Sequence, residues 1–131
     1  MLIGAAKRLS SGRAIGIDIW QDVDQANNSA AATRRNAEQE GVSVNVRDGD
    51  ARRIPFDGAA FDVVVSSLAL HNIYNARERE QAPSEIARVL NPGGHAAIFD
   101  VRHAFVRFFE RNGFTIVKKW TTISDAGWPP T

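Results

Sequence analysis

The sequence predicts an α/β fold: a mostly parallel sheet covered by helices. Three observations predict it. Short, nearly continuous apolar runs that suit buried strands alternate with longer segments of helical pattern. Glycines or a Pro-Gly-Gly run punctuate the ends of the helical segments. Strands that alternate with helices imply right-handed crossovers between parallel strands.

The elements follow in order. Met1 to Leu9 reads as a helix stopped at Gly12, and Ala14 to Ile19 as a short strand. Asn28 or Ser29 can cap a helix through Ala30 to Glu40, which Gly41 ends in the left-handed conformation. Val42 to Val46 alternates, as an edge strand does, and Phe61 to Ser66 is the most apolar strand, expected at the sheet centre. Asn75 to Leu90 is helical in pattern but is interrupted by Pro83. A proline inside a helix costs about 3 kcal/mol, so Pro83 is expected to open a second helix. Asn91-Pro-Gly-Gly94 stops it, His95 to Asp100 is a strand, Ala104 to Asn112 a helix closed by Gly113, and Phe114 to Trp120 a last strand. A single domain is expected over 1–123, with residues 124–131 as a loose tail.

Composition narrows the function. The chain has 131 residues, 44% hydrophobic and 24% charged, which suits one soluble domain. A net charge of +1 gives no polyanion-binding signal, and the pairs Arg34-Arg35 and Arg52-Arg53 read as solvated faces rather than a nucleic-acid footprint. Zero cysteines exclude disulfide and thiol chemistry and fit a cytoplasmic protein. No apolar run approaches the roughly 20 residues that span a membrane, so no membrane role is expected. No residue cluster has metal-ligand spacing.

In parallel sheets ligands bind beyond the carboxyl ends of the strands. That rule selects Asp18, Asp50, Ser66, Ser67 and Asp100. A carboxylate at Asp18 can accept both hydrogen bonds of a ribose diol; a solvated strand-end aspartate is the competing reading. Gly49-Asp50-Ala51 can recognise an adenine edge, carboxylate to amino group and Ala51 amide to ring nitrogen, with Gly49 permitting the turn. It reads equally as a plain acidic turn. His71 can serve as a general base or as a satisfied structural histidine.

The series Val46-Arg-Asp-Gly-Asp-Ala-Arg-Arg-Ile-Pro-Phe56, Phe61-Asp-Val-Val-Val-Ser-Ser67 and Glu85-Ile-Ala-Arg-Val-Leu-Asn-Pro-Gly-Gly94 resembles the middle of a class I S-adenosylmethionine-dependent methyltransferase. The resemblance implies a three-layer Rossmann-like fold and S-adenosyl-L-methionine as cofactor. It implies that Asp18 holds the ribose, that Ile19 and Trp20 pack on adenine, and that Gly49, Asp50 and Ala51 hold its edge. Ser66 and Ser67 would floor the methionine part, with His71 beside the acceptor. The acceptor is expected to be a small molecule. The Asn/Asp-Pro-Pro-Tyr/Phe-type motif of amino-group methyltransferases is replaced by Ser-Leu-Ala-Leu-His-Asn, which argues against adenine or glutamine amides.

The chain departs from the family at both ends. The first family strand with its Gly-x-Gly-x-Gly turn is absent, and few residues remain for the last antiparallel strand, so the chain reads as shortened and slow or inactive in transfer. A central strand of about five apolar residues contributes roughly 7–15 kcal/mol, comparable with a whole domain's net stability. The sheet is therefore expected to reclose in the order 2-1-3-4-5, pairing residues 14–19 with 61–66, to dimerise through exposed strand edges, or to be poorly folded. Two further readings stay open: a non-catalytic α/β relic acting through its surface, and a nucleotide- or nicotinamide-binding domain.

Overall fold

A computed structural model describes residues 1–20, 29–102 and 104–119. The expected tail, residues 124–131, lies outside the described residues. Among the described residues four helices and four strands follow in order: α1 (Leu2–Ala6), β1 (Ile15–Asp18), α2 (Ala30–Gln39), β2 (Asn45–Asp48), β3 (Phe61–Ser67), α3 (Gln81–Val89), β4 (Leu90–Phe99) and α4 (Phe105–Arg111), with a 3-10 turn at Leu70–Asn72.

Local chemistry sets the helix ends. The Ser29 hydroxyl accepts the Ala32 N–H at 3.1 Å and caps α2. Gly41 (φ 71°) and Gly113 (φ 87°) follow α2 and α4 in the left-handed region that glycine tolerates. Helix α3 starts two residues before Pro83, so the proline occupies its first turn, where a missing N–H breaks no helical bond. Ala82, Ile86 and Val89 form its apolar stripe, each at most 2% exposed, and pack with Leu70, Leu90, Phe105 and Phe109 in the core.

The predicted strand order does not form. Among the described residues, β1 pairs only with β2 and β3 only with β4, giving two separate parallel pairs. The expected pairing of residues 14–19 with 61–66 is absent. Pairing β1 directly with β3 would require β1 to move by at least one strand spacing, about 4.8 Å, with a twist correction, carrying its packed loops along. Those loops are tied elsewhere. Ile17 already packs on the core around α3, and the chain following β2 is clamped to α3 directly.

The clamp consists of two side chains one helical turn apart. Glu85 Oε2 accepts the Ile54 N–H at 2.8 Å. Arg88 forks onto the Ile54 and Phe56 carbonyls at 2.9 and 2.8 Å and pairs with Glu85 at 2.7 Å. Arg88 and Val89 carbonyls then accept the N–H groups of Ala59 and Ala60, leading the chain into β3.

Three more expectations change. Residues 91–94 do not separate helix from strand; β4 begins at Leu90, and Pro-Gly-Gly makes an irregularity in its register against β3. A Cβ on Gly94 would lie 2.8 Å from the Asn91 carbonyl oxygen and 3.0 Å from that of Asp62, so the backbone passes where only glycine fits. Strand β3 is not covered on both faces: Val64 packs on the core while Val63 and Val65 are 58% and 39% exposed. Residues 114–119 form no strand, because no ladder partner lies along them; Phe114 instead packs edge-on against Phe109 at 5.2 Å.

Hydrogen bonds from Arg88 hold the Glu85 carboxyl below the usual carboxylate range, against an opposing effect of partial burial and with help from the Ile54 N–H. The folded state thus favours the ionised form. Its contribution is complete above the unfolded chain's value of about 4.3 and is lost as pH falls through the lowered folded value. Glu85→Ala should destabilise the chain by about 1.5 kcal/mol at neutral pH, the lower end for a charged hydrogen bond because Arg88 is solvent-screened. Urea unfolding at pH 7 and at pH 3 checks this: the difference between wild type and variant should shrink at the lower pH.

Candidate functional site

The parallel register of β1 and β2 aligns Asp18 with Asp48, so both strands end at one rim. The Gly49 N–H donates to the Asp18 carbonyl at 3.1 Å, continuing the ladder one step. Asp18 and Asp50 therefore stand on neighbouring loops at the same carboxyl end. Asp18 Oδ1 accepts the Trp20 N–H at 2.8 Å, and the indole Nε1–H donates to Asp48 Oδ1 at 2.7 Å. Trp20 takes φ 55°, a left-handed conformation costly for a non-glycine residue, and these two bonds hold it there. Ile19 beside it is half exposed. Asp48, unremarked in the sequence, thus fixes the predicted adenine-facing tryptophan.

Gly49 has a reason other than the predicted one. It is not among the glycines with positive φ. A Cβ at this position would lie 3.0 Å from Ile17 Cβ and 3.1 Å from Pro55 Cδ, so glycine is required by close packing. Asp50 is engaged. Arg52 donates through its backbone N–H (2.8 Å), Nε (2.9 and 3.0 Å) and Nη2 (2.5 Å) to the two carboxylate oxygens. Those bonds hold the Asp50 carboxyl below its ordinary value and push the Arg52 guanidinium above its own. The other arm of Arg52 bonds Glu78, beyond β3. Arg52 is thus a bridge between the loops after β2 and β3, not a solvated face, and it brings the carboxyl ends of both sheet pairs to one side.

At the end of β3, Ser66 and Ser67 face Ile98 and Phe99 in the β4 register and are partly buried. Leu68 follows with φ 50°, a second strained residue at a strand end. His71 lies in the 3-10 turn, where Asp100 of the loop after β4 reaches it. Asp100 Oδ2 accepts the N–H groups of Leu70 and His71 at 3.1 and 3.2 Å. The structure thus brings Asp18, Ile19, Trp20, Gly49, Asp50 and Ala51 together on one pair of loops, and Ser66, Ser67, His71 and Asp100 on the other. A hollow of about 320 Å³ lies against Arg52, Glu80 and Glu85, and one of about 400 Å³ against Arg47 and Phe56; neither includes the rim carboxylates. Among the described residues no group of three His, Asp or Glu could hold a metal, and no helix is long and apolar enough to cross a membrane.

Such a site defines a class first: a parallel α/β domain whose strand-end loops carry carboxylates. The chain belongs to the methyltransferase-domain family, which residues 2–98 match. Over 70 residues it is 36% identical to the demethylmenaquinone methyltransferase of Thermus thermophilus, covering 53% of this chain and 30% of that one. Over 124 residues it is 27% identical to the demethylmenaquinone methyltransferase of Symbiobacterium thermophilum, covering 95% and 47%. The crystal structure of YcgJ from Bacillus subtilis aligns at TM-score 0.55 and 26% identity, covering 67% of this chain and 34% of that one. The [4+2]-cyclase SpnF aligns at TM-score 0.71 over 88% of this chain and 47% of its own, and at 20% identity it attests the fold alone. The chain spans less than half the length of these curated relatives. The family uses S-adenosylmethionine as methyl donor.

Steric need at Gly49 gives a direct test of how the rim is built. Gly49→Ala should destabilise the chain by about 1–3 kcal/mol, the usual cost of overpacking, because Ile17 and Pro55 must both give way. Thermal unfolding measures it; an unchanged midpoint would show that the rim is loosely packed.

Proposed function

We propose that this chain forms the adenosine-binding part of an S-adenosylmethionine-dependent methyltransferase with a small-molecule acceptor. One observation carries the proposal: within the methyltransferase-domain match, Asp18 ends β1 and Asp50 lies two residues past the end of its parallel neighbour β2, on a shared rim. In this reading Asp18 accepts from the ribose diol, and Ile19 and Trp20 border adenine. Asp50 and the Ala51 amide read the adenine edge. Ser66 and Ser67 lie under the methionine part. When bound, the cofactor supplies an electrophilic methyl group on a sulfonium; the protein's task is to place it, since such transfers depend on proximity and orientation.

Relatives named for demethylmenaquinone and for 2-phytyl-1,4-beta-naphthoquinone (the latter from Arabidopsis thaliana, 31% identical over 93 residues) support a quinone-type acceptor. The open edges of β1 and β3 and the exposed Val63 and Val65 support a homodimer paired through them, as part of the same proposal.

Titration calorimetry with S-adenosylhomocysteine tests the ligand. Asp18→Ala should weaken binding by about 1.5–3 kcal/mol, roughly ten- to 150-fold; unchanged affinity removes the ribose role. Arg52→Ala should tighten binding by up to about fivefold, since it frees an Asp50 carboxylate now held by an exposed ion pair of up to about 1 kcal/mol. Sedimentation at rising concentration tests the dimer, and a monomer throughout would remove it.

A further inference from the structure

The least explained group in the molecule is His71 Nδ1. It has no solvent-accessible surface and, among the described residues, no partner of hydrogen-bonding geometry. Yet Asp100 Oδ1 lies 3.3 Å away, and the Asp100 side chain is only 3% exposed. The distance suits a charged pair, while the angle falls short of a good hydrogen bond. The distance is the better guide, because buried polar groups are as a rule hydrogen-bonded and this ring nitrogen has a carboxylate oxygen in reach. The rest of the His71 side chain is open: as a whole it is 29% exposed, and none of that exposure belongs to Nδ1.

Asp100 is itself held by the backbone. Oδ2 accepts from Leu70 and His71 amides, and Oδ1 accepts the Val101 N–H at 2.8 Å. Three fixed donors set the carboxylate's orientation, and its remaining reach is toward the imidazole. The loops after β3 and β4 thereby meet at this pair, on the carboxyl side where the acceptor would enter.

Resting on the methyltransferase reading above, we propose that Asp100 is a positioning residue that holds His71 as the Nδ1–H tautomer and leaves Nε2 as the general base. Asp100 accepts the Nδ1 proton. Nε2 then carries a lone pair at the exposed edge of the ring. In transfer, the acceptor's lone pair forms the new bond to the methyl carbon. The sulfonium S–C bond breaks with its electron pair retained on sulfur, leaving S-adenosylhomocysteine. The acceptor's proton passes to Nε2, and the imidazolium formed faces the Asp100 carboxylate.

Asp100→Asn distinguishes this role from loop anchoring. The asparagine oxygen can keep the Leu70 and His71 amides, which places its NH₂ where Oδ1 was and gives up only the bond from the Val101 N–H. A donor facing Nδ1 forces the proton to Nε2, as wrong-tautomer variants of carboxylate–histidine pairs do. Long-range ¹H–¹⁵N correlation on the labelled chain at a pH where the ring is neutral reads this without turnover. Wild type should show His71 as Nδ1–H, and Asp100→Asn should shift it to Nε2–H. A wild-type Nε2–H tautomer overturns the proposal even if the variant does not fold.

Acylation by diethyl pyrocarbonate, followed by mass spectrometry, reads the base directly. His71 Nε2 should react no more slowly than the exposed His95, and at least tenfold more slowly in Asp100→Asn; a His71 slower than His95 in wild type overturns the base role. Failure of S-adenosylhomocysteine to bind would overturn the methyltransferase reading while leaving the tautomer result standing.

Discussion

The structure depends on the grip of Glu85 and Arg88 on the backbone of residues 54–56. Among the described residues no ladder joins the two strand pairs, so continuity between them comes from packing and from this clamp. Two charged side chains one turn apart on α3 satisfy one N–H and two carbonyls of an irregular segment that has no sheet partner. Buried backbone groups left unpaired are costly, so the segment has reason to stay where α3 can reach it. Ile54 is thereby set into the core against Ile86 and Val89, and Phe56 packs edge-on against Phe61 at 5.0 Å.

The candidate site inherits its geometry from that grip. The loop after β2 runs from Asp50 to the clamped Ile54 within a few residues, so fixing Ile54 limits where Asp50 can stand. Arg52 then spans from Asp50 to Glu78, tying the loops after β2 and β3 at the carboxyl ends of both pairs. Left-handed residues follow β1 and β3 at Trp20 and Leu68. Strain of this kind persists only where surrounding bonds over-determine it, as the Asp18 and Asp48 bonds do for Trp20.

Among the described residues, the same arrangement leaves an edge of each strand open, those of β1 and β3 included. Strand β3 offers an unpaired edge with two exposed valines, and β1 an unpaired edge with four residues. Sheet edges of this type are sites of further pairing. The expectation that they would close on each other neglected the clamp, whose hydrogen bonds resist the shift that closure requires.

Much of the fold was legible in the residues themselves. Ser29, Gly41 and Gly113 mark helix ends because capping and positive φ are local matters, decided within one turn of chain. Asp18 and Asp50 at strand ends were legible for a related reason: strand ends follow from apolar runs, and parallel sheets put ligands there. The methyltransferase family was legible as a resemblance carried by the segments Val46 to Phe56, Phe61 to Ser67 and Glu85 to Gly94. What only the tertiary structure decided was every relation across long sequence distances. Strand order, the bulge at Pro-Gly-Gly, the packing need at Gly49, the capture of Asp50 by Arg52 and the approach of Asp100 to His71 all join segments that no local pattern connects. Those contacts depend on how helices and sheets settle against one another, and a charge or a glycine read alone carries no information about which distant backbone it will meet.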